Sequence, residues 1–257
     1  MKTEFKQIVI VLFSIFLLSC SSDEIASQGN STTPPVTNPP TTPIANSVNY
    51  LALGDSYTIG QSVCETCRYP EQLKASLNAI YPQTNFSLKV IATTGWTTSN
   101  LLSAMNSQNL QSNYDLVTLL IGVNNQYQGR DFSLYEKEFP ELLNNAIMLA
   151  KGDAKNVIVL SIPDYAYTPF GVSLMQGQTD KISAEINKYN SFAENYCKTK
   201  GVDFINITDI TRNGLNNPTL VAKDALHPSE YAYKLFVEKL LPKVKKCFRT
   251  KYLSLKK

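Results

Sequence analysis

Short apolar runs rich in β-branched residues recur along the chain after residue 47, and longer stretches with apolar residues at helical spacing lie between them. The runs predict strands at Val48–Leu53, Phe86–Ala92, Leu116–Ile121, Val157–Ser161 and Asp203–Ile207. The intervening pattern predicts helices near Tyr69–Tyr81, Thr98–Met105, Ser133–Ala150 and Thr179–Lys200, with a last one from Ser229 to about Cys247. No internal repeat is visible. Strands that are each followed by a helix predict one parallel sheet covered on both faces, a three-layer α/β domain.

That topology says where chemistry belongs. In open parallel sheets a ligand sits beyond the carboxyl ends of the strands, where the winding direction switches. With the strand order 2-1-3-4-5, strand one lies between strands two and three. Ser56 follows strand one in YLALGDSYTIG, Gly95 and Trp96 follow strand two in TTGWTTSN, and Gly122, Asn124 and Asn125 follow strand three in LLIGVNNQYQGR. All three polar loops then face one cleft.

The chain contains a single histidine, His227, in KDALHPSEYAY, three residues after Asp224. In a helical turn that spacing puts both side chains on one side, so the carboxylate can hold one imidazole nitrogen while the other points away. Strand five is three spacings from strand one, roughly 14 Å at ~4.8 Å each. The long loop from Thr208 to Pro228 can span that distance.

Taken singly, these features are ordinary. Gly-Asp-Ser after a strand is plain turn composition, Asp224 could cap a turn, and Gly122 and Asn124 could be turn formers with Asn in a left-handed conformation. Their occurrence in order at the strand ends of one crevice points instead to a catalytic site.

The same four blocks, GDS with Ser56, the glycine block with Gly95, GVNN with Asn124, and DALHP with Asp224 and His227, resemble those of the SGNH or GDSL-type hydrolases, serine esterases and lipases. The resemblance covers nearly the whole region after residue 47 and implies a flavodoxin-like three-layer fold with a five-stranded parallel sheet. It implies Ser56 as nucleophile, His227 as base and Asp224 as its partner. The oxyanion hole would be the N–H groups of Ser56 and Gly95 and the side chain of Asn124, with no metal or organic cofactor. One departure stands out: the third block is usually G-x-N-D, and Asn125 replaces the Asp. An α/β-hydrolase shares the order Ser, Asp, His but wants G-x-S-x-G at the elbow and usually a distant acid, and neither is present.

Tyr57, Trp96, Asn125, Tyr127, Tyr165 and Tyr167 fall in loops expected to rim the crevice, suited to stacking on a sugar or lining a short acyl pocket. Packing of these rings onto the sheet is the competing reading. A carboxylic ester is the expected substrate, with a carbohydrate O-acetyl group favoured and a lipid or lysophospholipid ester as the alternative. A surface binding module that has lost activity is the alternative of a different class.

Composition changes this picture little. The 257 residues are 43% hydrophobic and 18% charged with a formal charge of +3, ordinary for a globular domain with a sizeable core. Lys and Arg form no long run except KVKK near the C-terminus, which argues against a nucleic-acid partner. The chain is expected to act as a monomer.

The N-terminal segment changes it more. Lys2 and Lys6 precede or flank an apolar run from Ile8 to Leu18, which at ~1.5 Å per residue is too short to cross a hydrocarbon core of ~30 Å. Residues 1–19 therefore read as a secretory signal. Its end, LLSC, resembles the lipobox of bacterial lipoproteins, which implies a lipid on Cys20, and the following SSDE resembles an export tag of surface lipoproteins. Residues 20–46, rich in Ser, Thr, Asn and Pro, read as a disordered tether. The folded domain is then expected over 47–257, on an exported, outer-membrane lipoprotein exposed at the cell surface.

Five cysteines leave four after lipidation of Cys20. The expected pairs are Cys64 with Cys67 and Cys197 with Cys247, although four cysteines allow three pairings. A zinc site is the rival reading, weakly supported by one C-x-x-C and a single His.

Overall fold

The computed structural model describes residues 47–253. The expected signal segment, the lipid site at Cys20 and the tether lie outside the described residues.

Five parallel strands form one sheet: β1 (Ser47–Gly54), β2 (Asn85–Ala92), β3 (Leu116–Leu120), β4 (Val157–Leu160) and β5 (Asp203–Ile205). Their order is β2-β1-β3-β4-β5, as the sequence predicts. Every residue of β3 and β4 is buried, which explains their unbroken apolar reading. Gly54 sits level with Ala92 on β2 and Leu120 on β3. The segments after these three strands therefore leave the sheet side by side.

Long helices complete the three layers. They are α2 (Tyr69–Ile80), α3 (Thr98–Ser107), α5 (Phe132–Leu149), α7 (Thr179–Lys200) and α9 (Glu230–Leu253). Helix α2 packs on α9, while α5 packs on both α3 and α7. Aromatic rings fill the α5–α7 contact: Tyr135 lies 4.6 Å from Tyr189 and 5.2 Å from Phe139, centroid to centroid. Helix α9 runs past Cys247, and Phe248 is fully buried against Tyr81 and Phe86.

Short helices follow the strands: α1 (Ser56–Ile59), α4 (Val123–Tyr127), α6 (Pro169–Leu174) and α8 (Thr208–Thr211). They are four to six residues long, too short to carry a 3.6-residue pattern, and the sequence does not reveal them. Strands β4 and β5 end earlier than predicted for a local reason. The Ser161 hydroxyl accepts from the N–H groups of Ile207 and Thr208, at 2.8 and 3.0 Å, so side-chain bonds replace the ladder there.

Cys64 and Cys67 form a disulfide with Cα atoms 4.9 Å apart. The expected Cys197–Cys247 pair is not formed, and both are free thiols. Cys197 is fully buried in the core from α7, and burial pushes its thiol up to about 12. Cys247 lies half-buried on α9, with its thiol raised by burial and then by the charge of Asp203. A helical position in the sequence gives no direction in space, so two late-helix cysteines do not by themselves make a pair.

Candidate active site

The turn after β1 is built from residues with little freedom. A Cβ on Gly54 would lie 2.2 Å from Thr58 Oγ1 and 2.4 Å from the Leu120 carbonyl, so only glycine lets the chain turn this close to β3. Asp55 then caps α1, its carboxylate accepting from the Tyr57 N–H at 3.0 Å. Its second oxygen has no partner among the described residues, and complete burial raises the acid to about 7. Ser56 opens α1 with 4% of its surface exposed.

The glycine block follows β2. Gly95 has φ +86°, a conformation few L-residues adopt, while the space a Cβ would fill is open. The Asn124 amide donates to the Trp96 carbonyl at 2.9 Å, and the Gln128 amide donates to the Gly95 carbonyl at 3.1 Å. Asn124 on α4 and Gln128 just past its end thus hold the glycine turn by two consecutive carbonyls. The second N–H of Asn124 is left for a ligand. The backbone N–H groups of Ser56 and Gly95 donate to no acceptor among the described residues.

Asp224 and His227 sit on a turn, not in the helical turn expected from their spacing. An isolated bridge joins Val221 to Pro228, and Ala225 lies at φ +63°. One carboxylate oxygen of Asp224 accepts from the N–H groups of Leu226 and His227, both at 3.0 Å, an Asx-type turn that locks the pair's geometry. The other oxygen meets His227 Nδ1 at 2.6 Å. Partial burial would raise the Asp224 carboxyl, yet donation from Ser62, from the His227 backbone and ring, and from Leu226 holds it down at about 2. Asp224 stays ionised at every working pH. With Nδ1 engaged, Nε2 is the imidazole nitrogen left for another partner.

Ser56, Gly95, Asn124 and His227 line one cavity of about 310 Å³. Its wall is completed by Tyr57, Thr94, Val123, Tyr127, Tyr165, Phe170 and Leu226. The Tyr57 ring meets the imidazole edge-on at 5.8 Å. The Tyr165 hydroxyl donates to Gln126 at 2.9 Å, and its phenol is pushed up to about 12, first by burial. Phe170 is brought to the wall by α6, whose Phe170 N–H donates to the Ala225 carbonyl at 3.0 Å. Val123, Phe170 and Leu226 were not legible as wall residues, since apolar loop residues carry no periodic signal.

Three expected wall residues stand elsewhere. Asn125 is completely buried, its carbonyl accepting from the Thr98 N–H at 2.9 Å and its amide donating to the Thr98 hydroxyl at 2.6 Å. That hydroxyl in turn donates a hydrogen bond to the Glu138 carboxylate. An amide at 125 therefore joins α4 to the start of α3, with the carboxylate displaced to Glu138 on α5. Trp96 packs against the core and Tyr167 lies against it below the Arg212 guanidinium, which is 5.9 Å from its ring. Among the described residues no group of three or more His, Cys, Asp and Glu side chains is placed to hold a metal ion.

A hydroxyl, an imidazole with one nitrogen held by a carboxylate, and unpaired N–H donors around one small cavity can carry out acyl transfer to water. If the Asn124 amide meets the developing oxyanion, Asn124→Ala lowers ester turnover by about 10²- to 10³-fold, read as kcat on a p-nitrophenyl ester. An unchanged kcat would remove Asn124 from that role.

Residues 52–235 match the model of the GDSL-like lipase/acylhydrolase family. A comparison with the sequences of curated proteins finds no match. Solved structures with a similar fold include an acetylxylan esterase from Geobacillus stearothermophilus, 18% identical, with a TM-score of 0.60 over 79% of this chain and 96% of that one. A psychrotrophic esterase from Pseudoalteromonas sp. is 16% identical, with a TM-score of 0.57 over 79% and 98%. A member of the lipolytic G-D-S-L family from Veillonella parvula is 18% identical, with a TM-score of 0.56 over 76% and 97%. At such identities these structures establish a shared fold.

Proposed function

The chain belongs to the GDSL-like lipase/acylhydrolase family and is an ester-hydrolysing enzyme, and from that premise we propose that it is a serine esterase in which Ser56 is the nucleophile. Ser56 Oγ attacks the ester carbonyl as His227 Nε2 takes its proton. Asp224 holds the ring by Nδ1 and stabilises the imidazolium. The tetrahedral oxyanion is met by the N–H groups of Ser56 and Gly95 and by the Asn124 amide. The same imidazole gives the proton to the leaving alcohol and then activates the water that frees the enzyme. The observation carrying this reading is that Ser56, Gly95, Asn124 and His227 line one cavity, with the Asp224–His227 bond already made at 2.6 Å.

The cavity also bears on the substrate. At about 310 Å³ it lies at the small end of the ~300–1,000 Å³ typical of ligand sites. That size favours an acetyl or other short acyl ester, and the exposed Tyr127 ring at its mouth suits a sugar alcohol. The lipid-ester reading draws on the apolar wall of Val123, Phe170 and Leu226. A comparison of p-nitrophenyl acetate with the octanoate and with acetylated xylan decides between them. The acetate should show at least a tenfold higher kcat/KM than the octanoate, given the ~1–3 kcal/mol that a misfitting methylene costs. Preference for the octanoate would turn the assignment to lipid esters.

The N-terminal sequence supports a place for this enzyme. A secretory signal, a lipidated Cys20 and a tether over residues 20–46 would hold a monomeric hydrolase at the outer membrane, facing polymers or lipids outside the cell.

A further inference from the structure

The segment between α1 and α2 contacts both halves of the site. It leaves α1 through Gly60 at φ +78° and turns again at Ser62, a non-glycine residue at φ +68°. A serine in that region costs backbone energy and persists only where the surroundings hold it. The far end is closed by the Cys64–Cys67 disulfide and by the Gln72 amide, which donates to the Cys67 carbonyl at 2.6 Å. The near end packs closely on the start of α2, where a Cβ on Gly60 would lie 2.5 Å from Arg68 Cβ.

Two side chains project from this segment onto the catalytic turns. The Gln61 carbonyl accepts from the Thr94 hydroxyl at 2.7 Å, beside Gly95. The Ser62 hydroxyl donates to Asp224 Oδ2 at 2.5 Å. That oxygen is the one that meets His227 Nδ1, so Ser62 and the imidazole share a single acceptor. With Leu226 N–H and His227 N–H on Oδ1, the carboxylate has four donors and no free direction in which to turn.

We propose that Ser62 is a positioning residue of this site: its hydroxyl, presented by the turn just before the Cys64–Cys67 disulfide, fixes the Asp224 carboxylate in the orientation that holds the imidazole. The proposal deepens the esterase reading and rests on it for the activity measurement alone. It accounts for an unusual backbone conformation at a serine.

The test uses the fact that the chain has one histidine. In untagged protein the imidazole proton resonances belong to His227 without ambiguity, and their titration reports the His227–Asp224 pair as one unit. Ser62→Gly removes the hydroxyl while easing the backbone, and Ser62→Ala removes it while keeping the strain. A donor withdrawn from the carboxylate leaves more charge facing the imidazolium. Both variants should therefore raise the titration midpoint together, by roughly half a pH unit or more. In the same proteins kcat for p-nitrophenyl acetate should fall by about ten- to a hundredfold with KM unchanged.

A Ser62→Gly midpoint equal to that of the native protein, or lowered, would overturn the proposal whatever the activity. A native-like Gly variant beside a perturbed Ala variant would do the same, because it would trace the effect to the backbone alone. If no ester were turned over at all, the titration would still stand. Failure of the esterase reading is thus separable from failure of this one.

Discussion

Ser56→Ala is expected to lower kcat on p-nitrophenyl acetate by on the order of 10⁶-fold while leaving the melting temperature near that of the native protein. The substitution deletes one oxygen from a residue with 4% exposure. It leaves the Asp55 cap and the first turn of α1 in place, since neither uses the Ser56 hydroxyl. Losing the nucleophile ends acyl-enzyme formation, so the imidazole and carboxylate have nothing left to activate. What persists is binding and oxyanion stabilisation, worth ~10³- to 10⁴-fold over water in enzymes of this logic. Retention of most of the activity would show that another group attacks the ester.

His227→Ala should be nearly as severe, again on the order of 10⁶-fold in kcat. Neither Asp224 nor Tyr57 can replace the base. Asp224, held down at about 2, is too weak a base, and Tyr57 is a buried phenol whose ionisation is pushed well above its ordinary range, first by burial. The pH dependence has a definite sign. A carboxyl whose folded value is depressed stabilises the native state above its unfolded value of ~3.9 and loses that contribution as pH falls through about 2. Free imidazole added to His227→Ala should restore part of the rate by entering the space left in the cavity wall. A variant that kept its rate without added imidazole would remove His227 from the reaction.

The centre of the sheet was legible because β3 and β4 are buried on both faces. Runs such as LVTLL and VIVL have no competing pattern, and their order predicted which loops meet. Ser56, Gly95, Asn124, Asp224 and His227 were legible for the same reason: each occupies a strand end or a loop leading back to one. What escaped the sequence depends on direction. Trp96 and Asn125 stand in the expected loops, but Trp96 turns to the core and Asn125 inward to Thr98. Cys197 and Cys247 sit at plausible positions on two helices, yet both stay free thiols. The Ser62–Asp224 bond joins residues 162 positions apart, and no local pattern announces it.

The central claim is that the Ser56 hydroxyl is activated by His227. The most direct test is reaction with a fluorophosphonate, followed by intact mass and peptide mapping. One adduct per chain on Ser56, absent from Ser56→Ala and slowed by several orders of magnitude in His227→Ala, is the predicted result. A native protein that takes up no label, or carries it on another residue, would contradict the account.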